Sequence, residues 1–271
     1  MTGTDPAAFS RIDTSRPHPA RVYDWYLGGK DNYPVDEELG RRIMGVDGTA
    51  QHVARTNRWF MQRVVRWLAG QAGVRQYLDI GTGIPTEPNL HQIAQAADPA
   101  ARIVYTDNDP IVLTHAAALL RSTPEGATDY IQADVRDPGR ILQEARRTLD
   151  FDRPLALSLV ALTHFLGDED RPYDLVAELV RALPSGSYLV LSQLTADLDP
   201  AAVMTGVQMY KASGVTLAPR THAEVGRFFE GLELVDPGVV QVTGWRPELA
   251  VDEAVLEGAV ISLYGAVGRK P

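Results

Sequence analysis

Tyr77-Leu78-Asp79-Ile80-Gly81-Thr82-Gly83-Ile84-Pro85-Thr86 reads as an apolar strand that runs into a tight glycine turn, with a helix beyond it. Glycine at 81 and 83 permits a turn that a β-carbon obstructs, and it lets a ligand lie directly on the backbone. Strand, glycine turn and helix in that order make the nucleotide-binding corner of a doubly wound α/β sheet. Asp79, two residues before the first glycine, adds a carboxylate that faces whatever the turn holds. Its charge favours a ligand with an ammonium or sulfonium over one with a pyrophosphate. Gly81 and Gly83 fill the first two positions of the dinucleotide fingerprint G-x-G-x-x-G, but Thr86 stands at the third, after Pro85.

Outward from this turn, apolar strands alternate with helical segments. Strands are expected at about 75–80, 102–107, 130–133, 155–162 and 188–192. Helices are expected near 87–97, after Pro110, and at about 138–149 and 172–183. Residues 155–162 are nearly all apolar, as in a strand covered on both faces. This βαβ series implies a mostly parallel sheet with right-handed crossovers. Beyond it, helices are expected at 199–214 and 221–231. Extended segments follow at 232–235, 239–242 and 260–269, the last two able to pair as an antiparallel edge.

Ligands of such sheets bind beyond the carboxyl ends of the strands. The second strand ends at Asp107 and the third at Asp134, so three strand ends offer turn, acid, acid. Asp107 suits a ribose diol, because a carboxylate accepts from two hydroxyls, each charge-assisted bond contributing roughly 1.5–3 kcal/mol. Asp134 is placed to accept from an adenine amine, with Asn108 and Val135 flanking the ring. Asp109 and Asp137, each beside a proline, read as helix caps.

The N-terminal part reads differently. Residues 1 to about 20, with Pro6, Pro17 and Pro19, read as a flexible arm. Residues 20–33 (ARVYDWYLGGKDNY) are dense in aromatics, charges and glycines. They read either as a lid in which Tyr23, Tyr26 and Tyr33 offer rings and Arg21 and Lys30 cations for a ligand carboxylate, or as an N-terminal packing segment with a turn at Gly28-Gly29. Residues 49–69 carry Val53, Phe60, Val64, Trp67 and Leu68 at helical spacing. That stripe is core, and Arg58 within it reads as solvated or ion-paired.

The 271 residues are 45% hydrophobic and 23% charged, ordinary for a globular chain. A net charge of −9 argues against broad nucleic-acid binding, which needs a positive field. With no cysteine, disulfides, thiolate metal sites and cysteine nucleophiles are excluded. No secretory signal or membrane-length apolar run is visible, so a cytoplasmic protein is expected. The six histidines lack metal-ligand spacing, and no metal is expected.

At Asp79-Ile80-Gly81-Thr82-Gly83, Asp107 and Asp134 the chain resembles the class I S-adenosylmethionine-dependent methyltransferases. More narrowly, it is similar to an actinobacterial methyltransferase family once catalogued as a domain of unknown function. The shared segments are Arg21-Val22-Tyr23-Asp24, Leu27-Gly28-Gly29-Lys30-Asp31-Asn32, Asn57-Arg58, Asp79 to Thr86, 105–110 (YTDNDP), Gln132-Ala133-Asp134 and Tyr264 to Arg269. The resemblance implies a seven-stranded Rossmann-like sheet of order 3-2-1-4-5-7-6 with the last strand antiparallel. It implies one methyltransferase domain over 1–271, with 1–70 as N-terminal arm and lid and 71–271 as core. It implies S-adenosylmethionine as cofactor, with Thr82 in the glycine turn. Pro85 departs from the broader superfamily, where glycine is common, and stiffens the turn.

In that setting Asp79 holds the methionine ammonium, and arm aromatics such as Tyr23 and Tyr26 face the sulfonium, a contact worth about 0.5–2 kcal/mol. A general base is needed for some acceptors only. His164, just beyond the fourth strand, is the first candidate, since an ordinary imidazole titrates near pH 6.5. Tyr26 and Tyr210 follow. The expected reaction is methyl transfer to a small molecule. A non-catalytic module sensing the cofactor is the alternative. An NAD-dependent oxidoreductase is a further one, opposed by Asp79, Pro85 and Thr86.

Overall fold

A computed structural model describes residues 13–119, 121–254 and 258–271. The first twelve residues of the expected arm lie outside the described residues. Five parallel strands form the heart of the sheet: β1 (Gln76–Ile80), β2 (Arg102–Asp107), β3 (Ala127–Gln132), β4 (Ala156–Val160) and β5 (Tyr188–Leu194). Three more follow: β6 (Glu233–Leu234), β7 (Val240–Gln241) and β8 (Leu263–Arg269). The order is β3-β2-β1-β4-β5-β8-β6, with β7 also pairing with β8.

This is the expected path with one strand added. The two-residue β7 makes the expected seventh strand the eighth. β8 does pair antiparallel with β7, but it lies inside the sheet, not at its edge. It runs antiparallel to β5 from Tyr188↔Arg269 to Leu194↔Leu263. On its other side β6 and β7 meet successive stretches of it. The ladder breaks between them at Pro237, which has no N–H to donate, and at Gly238, whose φ of +84° turns the chain.

Helices cover both faces. On one face, α6 (Pro138–Ala145), α7 (Pro172–Arg181) and Phe228 and Phe229 after α9 (His222–Arg227) pack on Leu78, Val104, Leu157 and Leu191. On the other, α3 (Ala50–Gly70) and α4 (Leu90–Ala97) pack with Trp245 on Tyr77, Ile103 and Val190. α5 (Pro110–Leu119) joins β2 to β3. Local chemistry starts these helices. Asp137 accepts from Arg140 N–H at the head of α6, and Thr221 and Glu224 form a capping box at α9.

The N-terminal helices α1 (Pro19–Leu27) and α2 (Pro34–Met44) pack with α8 (Pro200–Ala212) in a separate apolar cluster that holds Val22, Tyr26, Leu39, Ile43, Ala54 and Tyr210. They are bolted to the sheet by buried charge. Arg21 lies 3.1 Å from Asp109, at the end of β2, and 3.7 Å from Asp36 on α2. Arg63 on α3 donates to the carbonyls of Trp245 and Val242 and pairs with Glu253. No helix among the described residues is long and apolar enough to cross a membrane.

Helix α3 approaches the sheet closely at Gly265 of β8. A β-carbon there would stand 2.7 Å from the Phe60 ring and 2.9 Å from Val242. Phe60 is itself fully buried edge-on against Trp245 and has no room to yield. Gly265→Ala should therefore lower stability by about 1–3 kcal/mol. Urea unfolding measures this, and an unchanged midpoint refutes the close-packing account.

Candidate functional site

Four strand ends open onto one cleft of about 440 Å³, a size that suits a small-molecule ligand. From β1 come Asp79, Gly81, Thr82 and Gly83. From β2 come Asp107 and Asn108. From β3 come Asp134 and Val135. From β4 come Ala161 and Leu162.

The turn is tied to its neighbour strand. Gly81 and Thr82 donate backbone N–H bonds to the Thr106 carbonyl at 2.8 and 3.2 Å. Gly83 N–H donates to Asp107 Oδ2 at 2.8 Å, and Asp109 N–H donates to Oδ1 at 3.0 Å. Asp107 is thus aimed by two backbone donors. Burial still pushes its carboxyl above the ordinary range, opposed by those two bonds. Both glycines have positive φ, +75° and +68°. A β-carbon at Gly81 would also strike Leu162 at 2.7 Å, whereas one at Gly83 would meet open space within the cleft.

Asp79 sits beside Ser158 of β4 and accepts from Thr82 Oγ1 at 3.1 Å. Burial raises its carboxyl, and the Ser158 and Thr82 hydroxyls and the Arg58 charge oppose that rise. Asp134 accepts from Asn108 Nδ2 and Arg136, and Arg136 in turn pairs with Asp170.

The arm contributes less than the sequence suggests. Pro19, Ala20 and Tyr23 of α1 line the cleft. The Tyr23 hydroxyl is fully committed, donating to the Ala54 carbonyl and accepting from Asn57 Nδ2. Gly29 lies off the cleft. A β-carbon there would sit 2.0 Å from the Asp24 carboxylate, which accepts from Asp31 N–H and Asn32 Nδ2. The Gly-Gly turn therefore wraps Asp24, not a ligand. Arg21 is spent on Asp109 and Asp36, Tyr33 stacks on Arg21, and Lys30 is exposed.

Tyr26 and His164 line a second cavity next to the cleft instead. His164 is buried, and its Nδ1 accepts from Leu194 N–H at 3.3 Å. Its one ring proton therefore sits on Nε2. Burial, with the nearby Arg220 charge, pushes its pKa down to about 3. A ring whose free nitrogen lone pair is already used is a donor and not the general base expected of it.

Sequence reasoning missed Arg58 and Asn57. Arg58 is not merely solvated: it donates to the carbonyls of Thr86 and Pro88 beyond the glycine turn and lines the cleft. Asn57 is buried between α3 and the strand ends, accepting from Ser192 Oγ at 2.6 Å. The adjacent pair Asn57-Arg58, polar residues inside an apolar helical stripe, was the available signal.

Comparison with known proteins accords with this geometry. The family model described as S-adenosyl methyltransferase matches residues 5–271. The crystal structure of a DUF574 family protein from Streptomyces avermitilis superposes with a TM-score of 0.92 at 51% identity, covering 96% of this chain and 100% of that one. A crystal structure from Thermobifida fusca gives 0.86 at 39% identity, covering 98% and 99%. An O-methyltransferase family 2 protein from Planctomyces limnophilus, in complex with apigenin, shares the fold at 0.50 and 18% identity, covering 92% of this chain and 65% of that one. No curated protein matches the chain. The family match runs through the N-terminal helices as well as the sheet, so the chain belongs to the S-adenosyl methyltransferase family and takes S-adenosylmethionine as its methyl donor.

Proposed function

We propose that the protein transfers the methyl group of S-adenosylmethionine to a small-molecule acceptor, residues 1–70 forming the arm and lid and 71–271 the core of a single methyltransferase domain over 1–271. One observation carries this reading: the glycine turn, Asp107 and Asp134 stand at three adjacent strand ends around one cleft. The cofactor supplies a methyl group made electrophilic by a positively charged sulfur. The protein's part is to hold and orient.

In this reading Asp107 accepts from the ribose hydroxyls, its two oxygens already aimed by backbone N–H groups. The bare backbone at Gly81, Thr82 and Gly83 allows close approach. Asp134, Asn108 and Val135 surround the adenine. Asp79 and Arg58 suit the two ends of an amino acid, the carboxylate facing the ammonium and the guanidinium facing the carboxylate. Arg58 takes over the role expected of Arg21 and Lys30. His164 acts as a hydrogen-bond donor, and the acceptor's own proton is left to solvent. The dinucleotide alternative is not favoured, because Asp79 faces the place a pyrophosphate would occupy. A cytoplasmic location and an actinobacterial source belong to the same reading, supported by the Streptomyces and Thermobifida relatives.

Two measurements test these assignments. S-adenosylhomocysteine should raise the melting temperature, and Asp107→Ala should weaken its binding by about 10- to 100-fold, the loss of roughly 1.5–3 kcal/mol from shielded charge-assisted bonds. Stabilisation by NAD alone, or unchanged affinity in the variant, refutes the reading. The second concerns His164. Below pH 6.5 the unfolded chain takes up a proton that the folded chain refuses at His164 until about pH 3. Wild-type stability should therefore fall, relative to His164→Gln, by about 2–3 kcal/mol between pH 7 and 4.5. Urea unfolding at the two pH values measures it, and parallel losses in the two proteins refute a buried neutral histidine.

A further inference from the structure

Beside the cofactor cleft lies a second cavity of about 130 Å³. Pro19, Tyr23, Asn57, Ala161 and Phe165 line both spaces, so the two meet at these residues. Their meeting point is rigid. Ala161 holds a φ of +56°, a left-handed conformation that a non-glycine residue keeps only when its surroundings impose it. Ala161 N–H donates to Ser192 Oγ at 2.9 Å, and Ser192 donates to Asn57 Oδ1. Asn57 Nδ2 donates to the Tyr23 hydroxyl, which donates to the Ala54 carbonyl. A buried polar chain satisfied at each of these links fixes its members in place.

The second cavity is walled by apolar side chains, among them Ile43, Val53, Val203 and Leu217. At its edge stands Val46, 46% exposed, which makes the entrance apolar too. Asp47 also lines it, a charge that repels an anionic occupant. Two polar groups inside are unspent. Tyr26 is 7% exposed, and its hydroxyl neighbours that of Tyr210 without closing a well-formed hydrogen bond. Leaving such a group buried and unpaired costs about 1–3 kcal/mol, a cost that an occupant with a matching group removes. His164 adds the Nε2–H left over from its bond to Leu194. For size, an engineered cavity of about 150 Å³ in another protein holds one benzene ring.

From these features we infer that the second cavity is the methyl-acceptor site, and that it takes an uncharged single-ring molecule, or the single-ring head of one, carrying a hydroxyl that pairs with Tyr26 and His164. The inference rests on the cofactor reading of the adjacent cleft. It adds the acceptor's class: small, neutral, apolar but for one hydroxyl.

The test uses 4-fluorophenol as probe, titrated into the full chain saturated with S-adenosylhomocysteine and followed by ¹⁹F NMR. Saturable binding at about 1 mM or tighter is expected, in keeping with the size of the probe. Gly206→Leu should weaken it at least tenfold. Gly206 lines the cavity on the same face of α8 as Ala202 and Tyr210, and a β-carbon there meets nothing within 4 Å. The variant should therefore fill the cavity without disturbing the fold, and its melting-temperature shift with S-adenosylhomocysteine should equal the wild type's. Fluorobenzene, lacking the hydroxyl, should bind several-fold more weakly than 4-fluorophenol, and Tyr26→Phe should shrink that difference. If S-adenosylhomocysteine stabilises the protein but 4-fluorophenol does not bind, or binds Gly206→Leu equally well, the acceptor assignment is overturned and the cofactor reading stands. If S-adenosylhomocysteine gives no stabilisation, the cofactor reading falls and the acceptor site with it.

Discussion

Asp107 is held at one carboxylate oxygen by the N–H of Gly83 and at the other by that of Asp109. The first bond joins the glycine turn after β1 to the end of β2. The second starts the chain into α5. With the bonds from Gly81 and Thr82 to the Thr106 carbonyl, it makes two neighbouring strand ends one rigid piece. The orientation of the Asp107 carboxylate is thereby set by the backbone alone. The positive φ of both glycines follows from the same constraint, because the turn must bring its N–H groups back toward β2.

The same strand end anchors the N-terminal helices. Two residues past Asp107, Asp109 receives Arg21 of α1, and Asp36 of α2 faces Arg21 from the other side. Asp36 also accepts from the N–H groups of His18 and Tyr33, so the loops before α1 and α2 are gathered on one carboxylate. Buried pairs of this kind add little net stability, but losing one partner strands the other charge. Their effect is positional: α1, whose Pro19, Ala20 and Tyr23 line the cleft, is fixed there by the strand that carries Asp107. A part of the chain that looks appended is registered to the sheet by charge.

Much of this was legible beforehand, for a local reason. Strand, turn and acid at 77–86, 102–107 and 130–134 are each contiguous in sequence, and the βαβ rule sends all three ends to one edge. What escaped depends on partners far apart along the chain. Nothing near Asn57 announces Ser192, 135 positions away. Nothing in Ala161-Leu162-Thr163-His164 shows that Leu194 will occupy the imidazole nitrogen and turn an expected base into a donor. Gly29 was misread because a glycine that approaches a ligand and one that wraps a carboxylate leave the same mark in sequence. Tyr26 was assigned to the cofactor as one of the arm aromatics, but it lines only the second cavity, whereas Tyr23 lines both. The extended segment expected at 239–242 is present as β7, pairing with β8; what the seven-strand expectation left out is that it counts as a strand of its own.

The antiparallel β8 has a consequence for how the molecule is made. Residues 263–269 are inserted between β5 and β6, both synthesised earlier, and α3 rests on Gly265 through Phe60. Before residues 263–269 emerge, β5 has an open edge and α3 lacks the strand that Phe60 packs on. Such an unpaired strand invites other chains. Closure also links residues about two hundred positions apart, a slow kind of contact to form. Until β8 emerges to pair with both, the edge of β5 stays open and β6 has no strand to pair with, and the nascent chain depends on protection for that interval.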